Sequence, residues 1–155
     1  MAKSMPLPDS GKPPPSCKAI LLCERAIVES ETQLISLIGI LNHFGAAEFP
    51  AELPPITVYL QLVDGIGSYQ IHVETLDLSS GAEVVRSPNT EIQFPERPGS
   101  IDLIIPISSL SVEHPGGYDI VVFANEQELD RQQLTIVDLS EGDSNDETLF
   151  SDESD

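Results

Sequence analysis

Apolar positions recur along this chain in short runs separated by turn-forming residues. Most runs alternate with a period of two, the signature of β-strands with one buried face. The clearest covers residues 56–63, where Ile56, Val58, Leu60 and Leu62 share one face and Thr57, Tyr59, Gln61 and Val63 the other. After the turn Asp64-Gly65-Ile66-Gly67, Tyr69, Ile71, Val73 and Thr75 alternate with Gln70, His72, Glu74 and Leu76, so residues 56–76 predict a β-hairpin. Short strands are expected at residues 83–86 and 91–94, on either side of Pro88-Asn89. In residues 101–107, Ile101, Leu103, Ile105 and Ile107 share a face; Pro106 has no amide hydrogen to give a neighbour, which confines the strand to a sheet edge or ends its pairing. A second hairpin closes the series, residues 117–123 and 129–137 joined through residues 125–128.

The first third is less regular. Residues 17–28 read as one long strand, and the polar break Glu29-Ser30-Glu31-Thr32 leads into residues 33–44, QLISLIGILNHF. There Leu34, Leu37, Ile38 and Leu41 would line a helix face, and Ser30 with Gln33 resembles a capping box. Three isoleucines and a central Gly39 suit a strand better, and the preceding strand can pair with it across a tight turn. Residues 45–55, with three prolines, read as a loop crossing between sheet edges. Seven or eight short strands at this spacing predict two antiparallel sheets packed face to face. The expected core is Ile20, Leu22, Leu37, Ile40, Val58, Leu60, Leu62, Ile71, Val73, Leu103, Ile105, Tyr118, Ile120, Val122 and Ile136.

Composition sets the limits. In 155 residues, 26 acids face 7 bases, a formal charge of −19. A surface so acidic repels phosphate backbones and anionic lipid, which makes nucleic acid and membrane poor partners. Residues 1–16 hold five of the 13 prolines and read as a flexible leader. Residues 139–155 read as a disordered acidic tail, leaving 17–138 as one β-domain. The leader has Lys3 but no apolar run after it, so a soluble, cytoplasmic protein is expected. Cys17 and Cys23, six residues apart on one strand, lie roughly 20 Å from each other, beyond disulfide reach. Both read as small buried hydrophobes.

Catalytic patterns are sparse. His43, His72 and His114 have no spacing that would hold a metal, with His72 on the more polar face of its strand. Neither a nucleophile elbow nor a phosphate loop is found, and no cofactor is expected. Asp143, Asn145 and Glu147 fall at alternate positions as in a calcium loop, but the glycine and closing acid are missing. One tail feature exceeds what solvation needs: Leu149-Phe150 between acids is a candidate docking peptide.

Cys23-Glu24, Ser36-Leu37-Ile38-Gly39-Ile40, Phe49-Pro50 and Leu53-Pro54, in this order and spacing, resemble strings in a family of small bacterial domains of unknown function. Pro115-Gly116-Gly117-Tyr118 before an apolar strand resembles the penultimate strand of immunoglobulin-like and fibronectin-like sandwiches. The resemblance spans about residues 18–138; it implies a bacterial cytoplasmic setting and brings no catalytic residues. The expected fold is an immunoglobulin-like antiparallel β-sandwich. The expected function is a non-catalytic protein-interaction or adaptor module whose partner is another protein with a basic surface. The alternative is a small-ligand binder or enzyme whose loop carboxylates, for instance Asp64, Glu74 and Glu113, meet only in the fold.

Overall fold

The computed structural model describes residues 12–96 and 99–140. Twelve strands form among them: β1 (Ser16–Val28), β2 (Ile35–Leu41), β3 (His43–Ala46), β4 (Ala51–Leu53), β5 (Ile56–Val63), β6 (Ser68–Asp77), β7 (Glu83–Arg86), β8 (Thr90–Gln93), β9 (Ser100–Ile107), β10 (Leu110–Val112), β11 (Gly116–Ala124) and β12 (Gln127–Asp138). One sheet has the order β2-β1-β5-β9, and the other β3-β12-β11-β6-β7, with β8 also paired to β6. β4 and β10 form a separate two-stranded ribbon. The count exceeds the seven or eight expected, chiefly because β3, β4 and β10 have only three or four residues, too few to show a period.

Immunoglobulin-like sandwiches set strands A, B and E side by side in one sheet and C, F and G in the other. β1-β5-β9 and β6-β11-β12 reproduce those two sets of neighbours. Near the start of β11, the strand equivalent to F, the Tyr118 hydroxyl donates to the His114 carbonyl at 2.8 Å, the tyrosine-corner contact of such domains. The fold is an immunoglobulin-like β-sandwich, extended at one edge by β2.

Residues 56–76 are not a hairpin. β5 pairs with β1 and β9, whereas β6 pairs with β11, β7 and β8, so the turn at Asp64 to Gly67 carries the chain from one sheet to the other. Alternation reports that a strand has one buried side; it does not say which strand lies beside it, and here two buried sides face one core from opposite sheets. Gly65 makes the turn compact, because a Cβ there would fall 2.1 Å from the Phe94 ring. The closing hairpin, β11 with β12, forms as expected around a two-residue turn, Asn125-Glu126, both at positive φ.

The strand expected over residues 33–44 forms from Ile35 onward but breaks at Asn42. β2 stays beside β1, while β3 joins β12 in parallel in the other sheet, so the change of sheet comes before the proline-rich loop. Ser30 and Gln33 meet in a turn, the Gln33 side-chain amide donating to the Ser30 carbonyl at 3.0 Å. Among the described residues β9 pairs only with β5, so Pro106 does sit on an edge strand.

The core lies between the sheets, and twelve of the expected positions are buried there. Three are not. Leu37 and Leu103 are half-buried, and Ile40 is 61% exposed, standing opposite Cys23 on the outer surface of the β1–β2 pair. Ile40 is out of phase with Leu41, which opposes the buried Leu22. Cys23 is buried and Cys17 half-buried; both are free thiols. At the N-terminal end of the described chain, Pro15 is buried, the Tyr69 hydroxyl donates to the Pro13 carbonyl at 2.8 Å, and the Lys12 ammonium lies 4.2 Å from the Tyr69 ring centre.

Candidate functional site

Asp64, Glu74 and Glu113 do not come together. Asp64 is exposed in the turn after β5. Glu74 lies on the outer face of β6, bonded to His72 at 2.9 Å and to Arg86 at 3.5 Å. Glu113 lines a cleft at the other end of β6, together with Asp77 and Glu83. Leu149 and Phe150 lie outside the described residues, as do Asp143, Asn145 and Glu147. Among the described residues no three His, Cys, Asp or Glu side chains are placed to share a metal ion.

One grouping that the sequence did not reveal has the residue types of a hydrolase triad. His114 Nε2 lies 2.7 Å from Asp77 Oδ2 and 3.3 Å from Ser79 Oγ. The arrangement is wrong for nucleophilic catalysis, in which a carboxylate orients one ring nitrogen and the other takes the serine proton. Here serine and aspartate share Nε2, the Ser79 hydroxyl donates to Asp77 at 2.8 Å, and Nδ1 faces the Pro115 carbonyl at 2.7 Å. With an acceptor at each nitrogen the ring is held as a double donor. The Pro115 carbonyl and then Asp77 accordingly raise the His114 pKa. Burial alone would raise the Asp77 carboxyl, but hydrogen bonds from Ser79 and His114 outweigh it and hold it below the usual range. The cluster ties the β6–β7 turn to the segment before β11.

His72 corrects the sequence reading more sharply. It does stand on the outer face of β6, yet it is completely buried, stacked 4.8 Å from Phe123 with the rings nearly parallel, and among the described residues its Nδ1 has no hydrogen-bond partner. Beside it, Arg131 stands opposite Val121 and reaches Asp119 at 2.9 Å and Glu128 at 2.9 Å. Val121, its partner in register, is wholly buried. These contacts close that face, so no reactive histidine is presented there.

Cysteine chemistry is no better supported. Burial, and then the charge of Asp130, push the Cys17 thiol up to about 11, and burial raises Cys23 as well, so both stay protonated at neutral pH.

The feature that looks outward is the β2 edge. Among the described residues β2 has a neighbour on one side only, and its sequence, ISLIGIL, has no charge and no proline. β9, the opposite edge of the same sheet, carries Asp102 and Pro106. Leu34 and Ile40 are more than half exposed, and Ile27 and Val28 nearly so, which makes an apolar rim along the β1–β2 hairpin. A long uncharged edge with open backbone groups is a template for pairing. Around it stand acids: the Glu24 side chain lies against Gly39, where a Cβ would come within 2.8 Å, and Glu29 and Glu31 occupy the hairpin turn. Arg25 opposes Ile38 and is the one base within the paired stretch of this hairpin, residues 22–41.

Residues 18–137 match a family of unknown function, DUF6941. The chain belongs to that family. Among curated proteins none matches this DUF6941 chain. Solved structures give distant likenesses. An immunoglobulin-like protein from Pseudomonas aeruginosa is 14% identical over 81% of this chain and 98% of its own, with a TM-score of 0.38. A β-glucosidase from Listeria innocua in complex with isofagomine is 12% identical over 63% of this chain, TM-score 0.42, and the matched part spans 15% of that enzyme. An alkylpurine DNA glycosylase from Pseudomonas fluorescens is 11% identical over 61%, TM-score 0.35, with 27% of that chain covered. Strand order and the tyrosine corner define the sandwich fold of the DUF6941 domain.

Proposed function

We propose that this DUF6941 domain is a non-catalytic protein-interaction module that adds a partner's extended segment to β2, in a cytoplasmic setting. The observation that carries the reading is the uncharged open edge of β2 with exposed Ile40 beside it. Strand addition takes its affinity from backbone pairing and its specificity from alternate side chains. The partner segment is basic and apolar by turns, since Glu24, Glu29 and Glu31 line the edge and the chain carries a charge of −19. Free Cys17 and Cys23 suit a reducing compartment, and among the described residues no helix is long and apolar enough to cross a membrane.

The test uses a synthetic peptide alternating lysine and valine, titrated into the full chain and into Ile40→Lys. Ile40 is exposed, so the variant should keep its melting temperature while losing at least tenfold in affinity. The peptide should also compete poorly at high salt. Equal binding by both proteins would place the contact elsewhere. A doubled solution mass of the full chain, abolished by Ile40→Lys, would show that the edge pairs with a second copy instead and would overturn the basic-partner reading.

A further inference from the structure

The open edge of β2 offers two different faces to a segment that pairs with it. Leu41 opposes the buried Leu22 and packs against the core, so Leu41, Gly39 and Leu37, at alternate positions, mark the face that turns inward. Ile40 and Ile38 mark the outer face, opposite Cys23 and Arg25.

On the inward face Glu24 reaches across from β1. In register it stands opposite Gly39, between the pairs Cys23–Ile40 and Arg25–Ile38. Its side chain lies over Gly39: a Cβ there would fall 2.8 Å from Glu24 Cγ and 2.9 Å from Oε1. Gly39 takes φ 73°, a left-handed conformation that glycine adopts without strain. Glycine thus permits the backbone at this position and leaves the room that the carboxylate fills. Among the described residues Glu24 has no ionic partner; Arg86 and Arg131 are engaged on the other sheet, and Arg25, its neighbour, stands on the outer face.

The place of that carboxylate decides what it can meet. In an antiparallel pair, directly opposite residues have Cβ atoms about 4.5–5.5 Å apart and share a face. A residue of an added strand opposite Gly39 therefore starts about that far from the carboxylate, within the span of a lysine's flexible stem. The rest of the edge calls for apolar side chains. Leu37 and Leu41, on either side of Gly39, are half-buried, and the outer face offers half-buried Ile38 and exposed Ile40. Arg25 on that outer face opposes a second cation there.

We infer that Glu24 is the specificity-determining residue of the β2 edge, and that it selects an extended, largely apolar segment carrying one lysine or arginine opposite Gly39. The inference rests on the strand-addition reading and deepens it, by fixing which residue of the segment is basic and which face it occupies.

The probes are three acetylated nine-residue peptides that alternate threonine and valine and differ only at the centre, which is lysine, threonine or glutamate. Each is titrated into the isotopically labelled full chain and into its Glu24→Gln, Glu24→Lys and Glu31→Gln variants, and followed at the amides of residues 35–41. All three should shift those amides in the native chain, which reports edge pairing whatever the charge. The lysine peptide should bind about threefold more tightly than the threonine peptide, the worth of one exposed ion pair, and the glutamate peptide more weakly than either. Glu24→Gln should erase the lysine preference, Glu24→Lys should turn it toward the glutamate peptide, and Glu31→Gln should leave it in place. Glu24 is exposed, so its variants should keep the native melting temperature. Amide shifts without a lysine preference, or a preference that survives Glu24→Gln, would overturn the assignment of Glu24 and leave strand addition standing. No shift of these amides with any of the peptides would remove strand addition at β2 and the Glu24 pairing with it.

Discussion

The Tyr118 hydroxyl donates to the backbone carbonyl of His114, four residues upstream, at 2.8 Å, while the two rings stack at 5.7 Å. One buried aromatic thus fixes both the entry into β11 and the loop that carries the Asp77–His114 pair. Tyr118→Phe keeps the ring and removes the donor, so it should lower unfolding stability by about 1 kcal/mol. Tyr118→Ala also empties the core position and should cost ~3–5 kcal/mol. Urea denaturation checks both, and an unchanged midpoint for Tyr118→Ala would remove the residue from the core.

The Asp77–His114 pair predicts a pH signature. The His114 pKa is raised above 6.5 in the folded chain, so its contribution is complete below 6.5 and fades as pH rises through the folded value. The Asp77 pKa is lowered below 3.8, so its contribution is present above 3.8 and fades as pH falls through the folded value. The melting-temperature gap between the native chain and His114→Gln should be widest between these limits and shrink toward alkaline pH. A gap that stays constant from acid to alkaline pH would show that the ion pair adds no pH-dependent stability.

Glu126 sits at φ 68°, a conformation that costs a residue with a side chain about 1 kcal/mol and glycine nothing. Its ion pair with Arg86, at 3.0 Å, is exposed and weak in water, and Arg86 keeps Glu74 when it is lost. Glycine also gains entropy in the unfolded chain, which takes back part of the benefit. Glu126→Gly should therefore raise the melting temperature slightly, by calorimetry, and a clear fall would mean that the ion pair outweighs the backbone strain.

Arg131 neutralises Asp119, whose side chain is only 11% exposed, and stands opposite the buried Val121. Arg131→Ala leaves that carboxylate nearly buried and alone, with an expected loss of ~1–2 kcal/mol, less than for a fully enclosed pair because the guanidinium is 41% exposed. Replacing both, Arg131→Leu with Asp119→Leu, should recover most of the loss. Denaturant midpoints of the single and double variants decide; an additive loss would show that packing by the arginine stem, not charge, is what matters.

The local elements were legible in the chain. Period-two alternation marked β5, β6 and β9, Pro106 marked an edge, and the apolar strand after Gly116-Gly117 placed Tyr118 in the core. These are properties of a strand and its own side chains, and a pleated backbone writes them directly into sequence. Partnership was not written there. β5 and β6 adjoin in sequence yet lie in different sheets, and residues 33–44 divide between two sheets at Asn42.

The same limit explains the site residues. Asp77, Glu83 and Glu113 come from three segments that only the packing of β7 against the β9–β10 connection brings around one cleft, and Glu74, placed with Glu113 on sequence grounds, faces another side of β6. His72 sits at a position whose alternation says solvent, but Phe123 on β11, opposite it in register, covers the ring. Ile40 is apolar and yet exposed, because among the described residues its strand is the last in its sheet and none packs over its outer face. Sequence determined which residues form strands and which side of most of them is apolar; only the tertiary structure decided which strands meet, because pairing and burial depend on neighbours distant in the chain.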